Sequence, residues 1–315
     1  MSQKLSLVEK ELTSKITLWM LRIILQLSGH REFIDRHNDF NNEDLVYFLG
    51  LGRYAYMDAD KYTRKEILEI LQKKLQMLEA QKKFSTNKVL QKNITQITAL
   101  MQLNQYEAQI LEFVVLIKQY DILNTAASLL GNELNTSQVK KVLSVILQIP
   151  KSEVDKAFQS DSKLSRSSLV LIDKNNTHTL CYKLESISDT FLDNLMNLDE
   201  DITVMLKEAL RPVGKSTLKL KDYKHIQNDL DILLPYLTRA VHTQKSGVNI
   251  LLYGPPGTGK TELVKVLAKK LKTKLFEVSY IDDNDEPIDG QERLKAYKSA
   301  QALLTTKKTL LMYDE

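Results

Sequence analysis

Apolar residues recur at helical spacing, three or four positions apart, through residues 1–103. Ser6 to Leu27 reads as one helix, ended by Ser28-Gly29. A polar linker, His30 to Asn42, leads to a short helix from Glu43 that Gly50 closes. Thr63 to Lys82 is the clearest amphipathic segment, with Ile67, Leu71, Leu75 and Leu78 on one stripe, and Val89 to Leu103 continues the pattern. Such stripes either make the segment's own core or organise partners and oligomers, and the pattern alone does not choose between the two.

From residue 104 to about 200 the rhythm shortens. Gln105 to Gln119, Asn124 to Leu130 and Thr136 to Leu147 read as helices, and Ser152 is placed to cap a further one running to about Ser160. Leu169–Ile172, the polar turn Asp173–Asn176 and His178–Tyr182 then give a strand, turn, strand signal. Helices followed by a β-hairpin resemble a winged helix-turn-helix. Its recognition segment would be Lys151 to Ser160, where Lys151 and Lys156 are balanced by Glu153 and Asp155. A DNA-reading helix carries a basic footprint, so a protein-binding or structural role is favoured here over DNA contact.

Residues 201–245 read as a linker and helix leading into a final segment, 246–315. Arg211 to Ser216 is polar and rich in helix breakers, and Asp222 to Gln244 is helical, with Pro235 expected to kink or split it. The period then changes. Val248 to Tyr253 is an apolar run of strand length, and Leu263, Leu267 and Leu271 repeat at helical spacing after it. Lys274 to Tyr280 alternates like a strand, Gln291 to Thr305 reads as a helix, and Lys308 to Glu315 is an apolar strand capped by two carboxylates. Strands alternating with helices predict an α/β three-layer core at the C-terminal end, preceded by mostly α-helical domains; the loop Gly254 to Thr261 between its first strand and helix makes the expectation a P-loop NTPase fold.

Between the first strand and its helix lies Gly254-Pro-Pro-Gly-Thr-Gly-Lys-Thr261, which fits the phosphate-loop pattern. Gly254, Gly257 and Gly259 let backbone N–H groups turn inward with no Cβ in the way, while Pro255 and Pro256 stiffen the loop. With Thr258 they precede a helix whose positive end faces the same point. Lys260 is placed to reach the β- and γ-phosphates, and the Thr261 hydroxyl to ligate Mg²⁺. Asp314 would help hold the same ion in a Walker B arrangement, and Glu315 would polarise the attacking water.

Leu251 to Thr261, followed by Met312-Tyr-Asp-Glu315, resembles the AAA group of AAA+ ATPases, which includes katanin-like, FtsH-like and segregase-like remodellers. Gly290 to Leu294 is similar to the segment that follows the first pore loop in that group. The resemblance implies ATP and Mg²⁺ as cofactors, a catalytic part for Lys260 and Glu315, assembly into a ring (by family, a hexamer) and a protein substrate. Two departures stand out. The pore-loop position reads Ile288-Asp289-Gly290, with no aromatic, which weakens substrate threading. The sensor, arginine finger and helical lid of the family lie beyond Glu315. The sequence is therefore expected to be a fragment of a longer chain; otherwise it is a non-hydrolysing, nucleotide-dependent scaffold. A DNA-associated ATPase is the alternative from a different class.

Composition adds bounds. A hydrophobic fraction of 43% and a charged fraction of 27% over 315 residues suit a globular chain of two or three domains. A net charge of +4 neither requires nor excludes nucleic acid. Cys181 is the sole cysteine, which excludes an internal disulfide and suits a reducing cytoplasm. The apolar stretch Ile16 to Leu27 is too short to span a bilayer and carries Arg22. His178 and Cys181 are two ligands without a second pair, short of a zinc site. Asp282 to Glu286 lacks the spacing of a calcium loop.

Overall fold

The computed structural model describes residues 7–81, 83–84, 86–175, 177–205, 209–245, 247–281, 286–304 and 308–314. Its contacts divide the chain into two compact units, 1–200 and 201–315.

The first unit is helical. Its central element is α1 (Leu7–Gln26), in which Ile16, Met20, Leu21, Ile23 and Ile24 are buried. Ser28, at φ 65°, and Gly29 end it. A Cβ at Gly29 would stand 2.8 Å from the Ile23 carbonyl oxygen, so the chain turns there at the expense of any larger side chain. Short helices α2 (His30–Phe33) and α3 (Glu43–Phe48) follow, then α4 (Arg64–Glu79) and α5 (Lys88–Met101). The stripe Ile67, Leu71, Leu75 and Leu78 is buried on α4, which packs against α1. Thr63 and Glu66 form a reciprocal cap at its start.

Helices from both sides of residue 103 share this core. α6 (Gln105–Gln119) starts from an Asn104–Glu107 capping box and buries Ile110, Leu111 and Phe113 to Ile117. Phe113 meets Trp19 of α1 edge to face, with ring centroids 5.1 Å apart. α7 (Asp121–Ser128) and α8 (Thr136–Leu147) also pack on α1, and α9 (Lys151–Ala157) packs on α8. α10 (Lys163–Arg166) precedes a two-stranded antiparallel pair, β1 (Leu171–Ile172) with β2 (Leu184–Glu185). α12 (Asp189–Asn197) closes the unit against α5 and α6, where Asn93 donates to the carbonyls of Leu195 and Leu198 at 3.0 and 2.9 Å.

Two expectations are corrected here. The segment His178–Tyr182 is not a strand: α11 (Leu180–Lys183) occupies most of it, and the strand partner of β1 lies just beyond. A short apolar run fits either state, and here Leu180 and Cys181 find burial on helices α6 to α8. α9 begins at Lys151 with Pro150 as its N-cap, so Ser152 does not cap it. Proline's fixed φ and missing donor suit a helix start.

The second unit holds α13 (Ile202–Met205), β3 (Leu210–Pro212), α14 (Gln227–His242), α15 (Lys260–Leu271), β4 (Lys274–Val278), α16 (Gly290–Leu304) and β5 (Thr309–Met312). The sheet runs β3-β4-β5. β4 and β5 are parallel, pairing Lys274 with Thr309 and Glu277 with Met312, and α16 crosses between them. That βαβ unit is the one expected. β3 was read as part of a linker and instead forms an antiparallel edge, Leu210 opposite Val278. Pro212 ends it where an edge strand tolerates a missing donor. α14 passes Pro235 as one helix, neither split nor interrupted. Its buried Leu230 and Leu237 join Tyr223, Leu263, Val266 and Leu267 in one apolar cluster under α15.

The run Val248 to Tyr253 is not a strand among the described residues. Leu251 and Tyr253 are 84% and 89% exposed, and no described strand pairs with the segment. A strand is defined by a neighbour's N–H and C=O groups, which an apolar run cannot supply for itself.

Candidate functional site

The glycine loop of residues 254–259 leads directly into α15. Gly254, Gly257 and Gly259 have φ of 148°, 78° and 81°, a region that disfavours side chains. Gly259 is the N-cap of α15 in a left-handed conformation, and its carbonyl accepts the Leu263 N–H at 2.8 Å. A Cβ on Gly257 would meet nothing within 4 Å, so that side of the loop is open. Thr258 folds back within the loop, its hydroxyl donating to the Pro255 carbonyl at 2.9 Å.

Lys260 lies on the same loop. Its ammonium donates to the carbonyls of Gly254 and Pro255, each at 3.0 Å. The ammonium therefore already lies across the mouth of the glycine loop. Thr261, next in the first turn of α15, reaches Asp314 at the end of β5, with its hydroxyl 2.7 Å from Asp314 Oδ2. A helix N-terminus, an ammonium, a hydroxyl and a carboxylate thus come together from positions 53 residues apart in sequence. A hydroxyl and a carboxylate oxygen are hard donors of the kind Mg²⁺ takes, and the open glycine loop with Lys260 beside it is a frame for phosphate oxygens. The residues present fit both groups. Glu315, expected beside Asp314, lies outside the described residues, as do Asp282 to Asp285 of the acidic loop.

Several supporting residues were given no role from sequence, although Arg293 falls within the segment Gly290 to Leu294. Tyr223 is buried beneath the loop, donating its hydroxyl to the Gly259 carbonyl at 3.2 Å. A Cβ on Gly259 would stand 3.4 Å from that hydroxyl. Burial raises the pKa of Tyr223, which keeps it a neutral donor. Arg293 of α16 donates to the Asp314 carbonyl, and its guanidinium lies 4.3 Å from the centre of the Tyr313 ring. Glu262 pairs with Lys265 at 2.6 Å and accepts from Ser216; these two contacts hold its carboxyl below the usual range. Burial, and then the charge of Asp314, push Glu277 of β4 upward.

The other candidates do not converge. Thr179 donates its N–H to the His178 ring at 2.9 Å, and His178 packs on Tyr182; Cys181 is buried, and burial raises its thiol. Among the described residues, no group of three or more His, Cys, Asp or Glu side chains could hold a metal. On the candidate recognition helix α9, Lys156 pairs with Glu153 at 2.7 Å, and Asp155 pairs with Lys140 of α8 at 3.1 Å.

Residues 250–315 match the family described as ATPase family associated with various cellular activities (AAA). The chain is 31% identical over 118 residues to an ATP-dependent zinc metalloprotease FtsH of Malacoplasma penetrans, covering 33% of this chain and 14% of that protein. It is 30% identical over 152 residues to a Lon protease of Methanosphaera stadtmanae, covering 46% and 16%. It is 44% identical over 52 residues to a Holliday junction branch migration complex subunit RuvB of Phytoplasma mali, covering 16% of each. The chain spans 14–17% of the length of these curated relatives. No solved structure matches it. No described helix is long and apolar enough to cross a membrane.

Proposed function

Because residues 250–315 are an AAA+ P-loop ATPase segment, we propose that this chain binds ATP with Mg²⁺ at Gly254 to Thr261 and serves a ring-forming, ATP-hydrolysing remodeller of proteins. The observation that carries the reading is the Thr261–Asp314 contact of 2.7 Å beside the glycine loop. It brings a helix N-terminus and a pair of hard oxygen donors to one point, as a metal-nucleotide site requires.

Each residue then has a task. Backbone N–H groups of Gly257, Thr258 and Gly259 hold phosphate oxygens, Pro255 and Pro256 having none to give, and Lys260 moves from the loop carbonyls to a phosphate. Thr261 and Asp314 would hold Mg²⁺, and Glu315 would polarise the attacking water. Mg²⁺ supplies neutralisation of charge on the phosphate oxygens. Tyr223 and Arg293 keep the loop and the strand end in place.

The use of ATP is read from the relatives. Two of them are named as proteases, which favours a protein substrate. A hexameric ring and a reducing cytoplasmic setting complete this reading. RuvB, named for a Holliday junction complex, supports a second reading with DNA as the partner. Stimulation of turnover by unfolded protein or by branched DNA separates the two.

The test of the site is ligand-dependent stability. ATP with Mg²⁺ at about a hundred times its dissociation constant stabilises the wild type by about 2.7 kcal/mol, and Lys260→Ala removes that gain. An equal thermal shift in the variant would refute the site. Glu315→Gln in a chain that turns over ATP is expected to keep binding and lose hydrolysis.

A further inference from the structure

The first unit presents a second feature, unrelated to nucleotide. From α3 to the start of α4 the chain carries four tyrosines, Tyr47 on α3 and Tyr54, Tyr56 and Tyr62 after it, in two groups with different surroundings.

One group anchors the segment. Tyr62 is buried and donates to the Asn38 carbonyl at 2.8 Å. Its ring stacks on Phe40 at 5.7 Å, Phe40 meets Phe33 at 5.4 Å, and Tyr54 meets Tyr62 edge-on at 5.3 Å. This ladder ties the loop to the core. The other group faces out. Tyr56 is 84% exposed and Tyr47 is 44% exposed, their ring centroids 6.2 Å apart, with exposed Met57 beside them. Tyr47 is held in place: a Cβ on Gly52 would stand 2.9 Å from its ring, so the ring lies against backbone that only glycine leaves clear. The neighbouring Tyr56 phenol, above all, pushes the pKa of Tyr47 up to about 12, so its hydroxyl stays protonated.

Rigidly held aromatic and methionine side chains in water cost free energy unless a partner covers them, and Tyr and Met are enriched where proteins meet. Charge indicates what the partner carries. Glu43, Asp44, Asp58 and Asp60 are exposed around the pair. Over residues 43–62 four carboxylates face two cations, Arg53 and Lys61. Arg53 lies 4.5 Å from the centre of the Tyr54 ring and Lys61 pairs with Asp58 at 2.6 Å, which leaves Glu43, Asp44 and Asp60 as the excess negative charge. A tyrosine face attracts a cation, and Arg53 on Tyr54 is an instance within this loop.

We propose that the Tyr47–Tyr56 pair, with Met57 and the carboxylates of Glu43, Asp44 and Asp60, is a docking site for a lysine- or arginine-bearing segment of a partner protein. The site lies in the unit of residues 1–200 and stands independently of the nucleotide reading.

The test is fluorescence anisotropy of a labelled hexa-arginine peptide, with hexa-glutamate as control, on the full chain. Wild type and Tyr56→Trp are expected to bind alike. Tyr56→Ala is expected to bind about two- to fivefold more weakly, the loss of one exposed cation–π contact. Asp60→Lys should weaken binding further. Tyr56 is exposed, so its alanine variant should keep the wild-type circular dichroism and melting point. Absence of binding, unchanged affinity in Tyr56→Ala, or equal binding of hexa-glutamate overturns the proposal. So does self-association of the wild type that Tyr56→Ala abolishes, which would make a second copy the occupant.

Discussion

Thr261 and Asp314 are joined by a hydrogen bond of 2.7 Å, from the first turn of α15 to the end of β5. Neither element alone makes a metal site. The bond ties the helix that carries the phosphate loop to the strand that carries the carboxylate, and it sets two oxygen donors side by side. Thr261→Ala removes one donor and leaves the loop and Lys260 in place. ATP affinity of the wild type should fall when EDTA removes Mg²⁺, whereas Thr261→Ala should bind ATP with little response to EDTA. Thr261→Ser keeps a hydroxyl and should behave as wild type. Calorimetric titrations with and without the metal decide this, and a Thr261→Ala variant that keeps its full metal dependence would sink the assignment.

Tyr223 is the floor of the loop. Its hydroxyl reaches the Gly259 carbonyl at 3.2 Å, and its ring belongs to the apolar cluster with Leu230, Leu263 and Leu267. Tyr223→Phe loses one hydrogen bond, worth about 0.5–1.5 kcal/mol. Tyr223→Ala also opens a cavity beneath the loop and should cost about 3–5 kcal/mol, in the range of other aromatic truncations. Urea denaturation with and without ATP separates these effects. The phenylalanine variant should retain most of its stability with weaker nucleotide binding, and the alanine variant should lose both. Wild-type stability in Tyr223→Ala would show that the loop does not rest on this ring.

The parts of this site that were legible in sequence are those that a single chemistry fixes locally. Lys260 and Thr261 follow a glycine loop, and Asp314 ends an apolar run, so each was found without its partners. Tyr223 and Arg293 were not. They act by packing and by hydrogen bonds to backbone carbonyls, for which many residue types at many positions would serve. The helices were legible for a similar reason: α4, α6 and α8 each combine a 3.6-residue stripe with a capping residue. The strands were less so. Val248 to Tyr253 has the composition of a strand and no described pairing, while Leu210–Pro212 looks like a linker and pairs with β4. Pairing is a property of two segments, and one segment's pattern does not contain it.

Glu277 gives a pH dependence with a definite sign. Burial first, and then the charge of Asp314, hold its carboxyl above the ordinary value of 4.5. A carboxyl raised on folding binds its proton more tightly in the folded state. Its contribution to stability is full below the unfolded value and is lost as pH rises through the folded one. Glu277→Gln stays neutral throughout and removes that loss. The variant should match the wild type at about pH 4 and exceed it at about pH 7, read from urea midpoints without nucleotide. A difference that does not change with pH would show that Glu277 carries no folding-linked proton.

Arg22 offers the sharpest stability test in the first unit. It lies on the buried face of α1, donates to the Ile146 carbonyl at 2.7 Å and meets Glu79 at 3.3 Å. Burial lowers its pKa, and Glu79 only partly offsets this. One side chain thus links α1 to α4 and to the end of α8. Truncating it leaves the Ile146 carbonyl without its donor and the Glu79 carboxylate with Gln148 in place of a cation, and opens space between helices. Arg22→Ala should therefore cost about 3–5 kcal/mol, the range for breaking a buried pair by removing one partner. Arg22→Met with Glu79→Leu replaces charge by apolar volume and should recover much of that loss, since a buried pair is often no better than a packed apolar one. Urea midpoints of the wild type, the single and the double variant decide it. Arg22→Ala within about 0.5 kcal/mol of wild type, the ordinary range for surface changes, would mean that α1 is held by its apolar face alone.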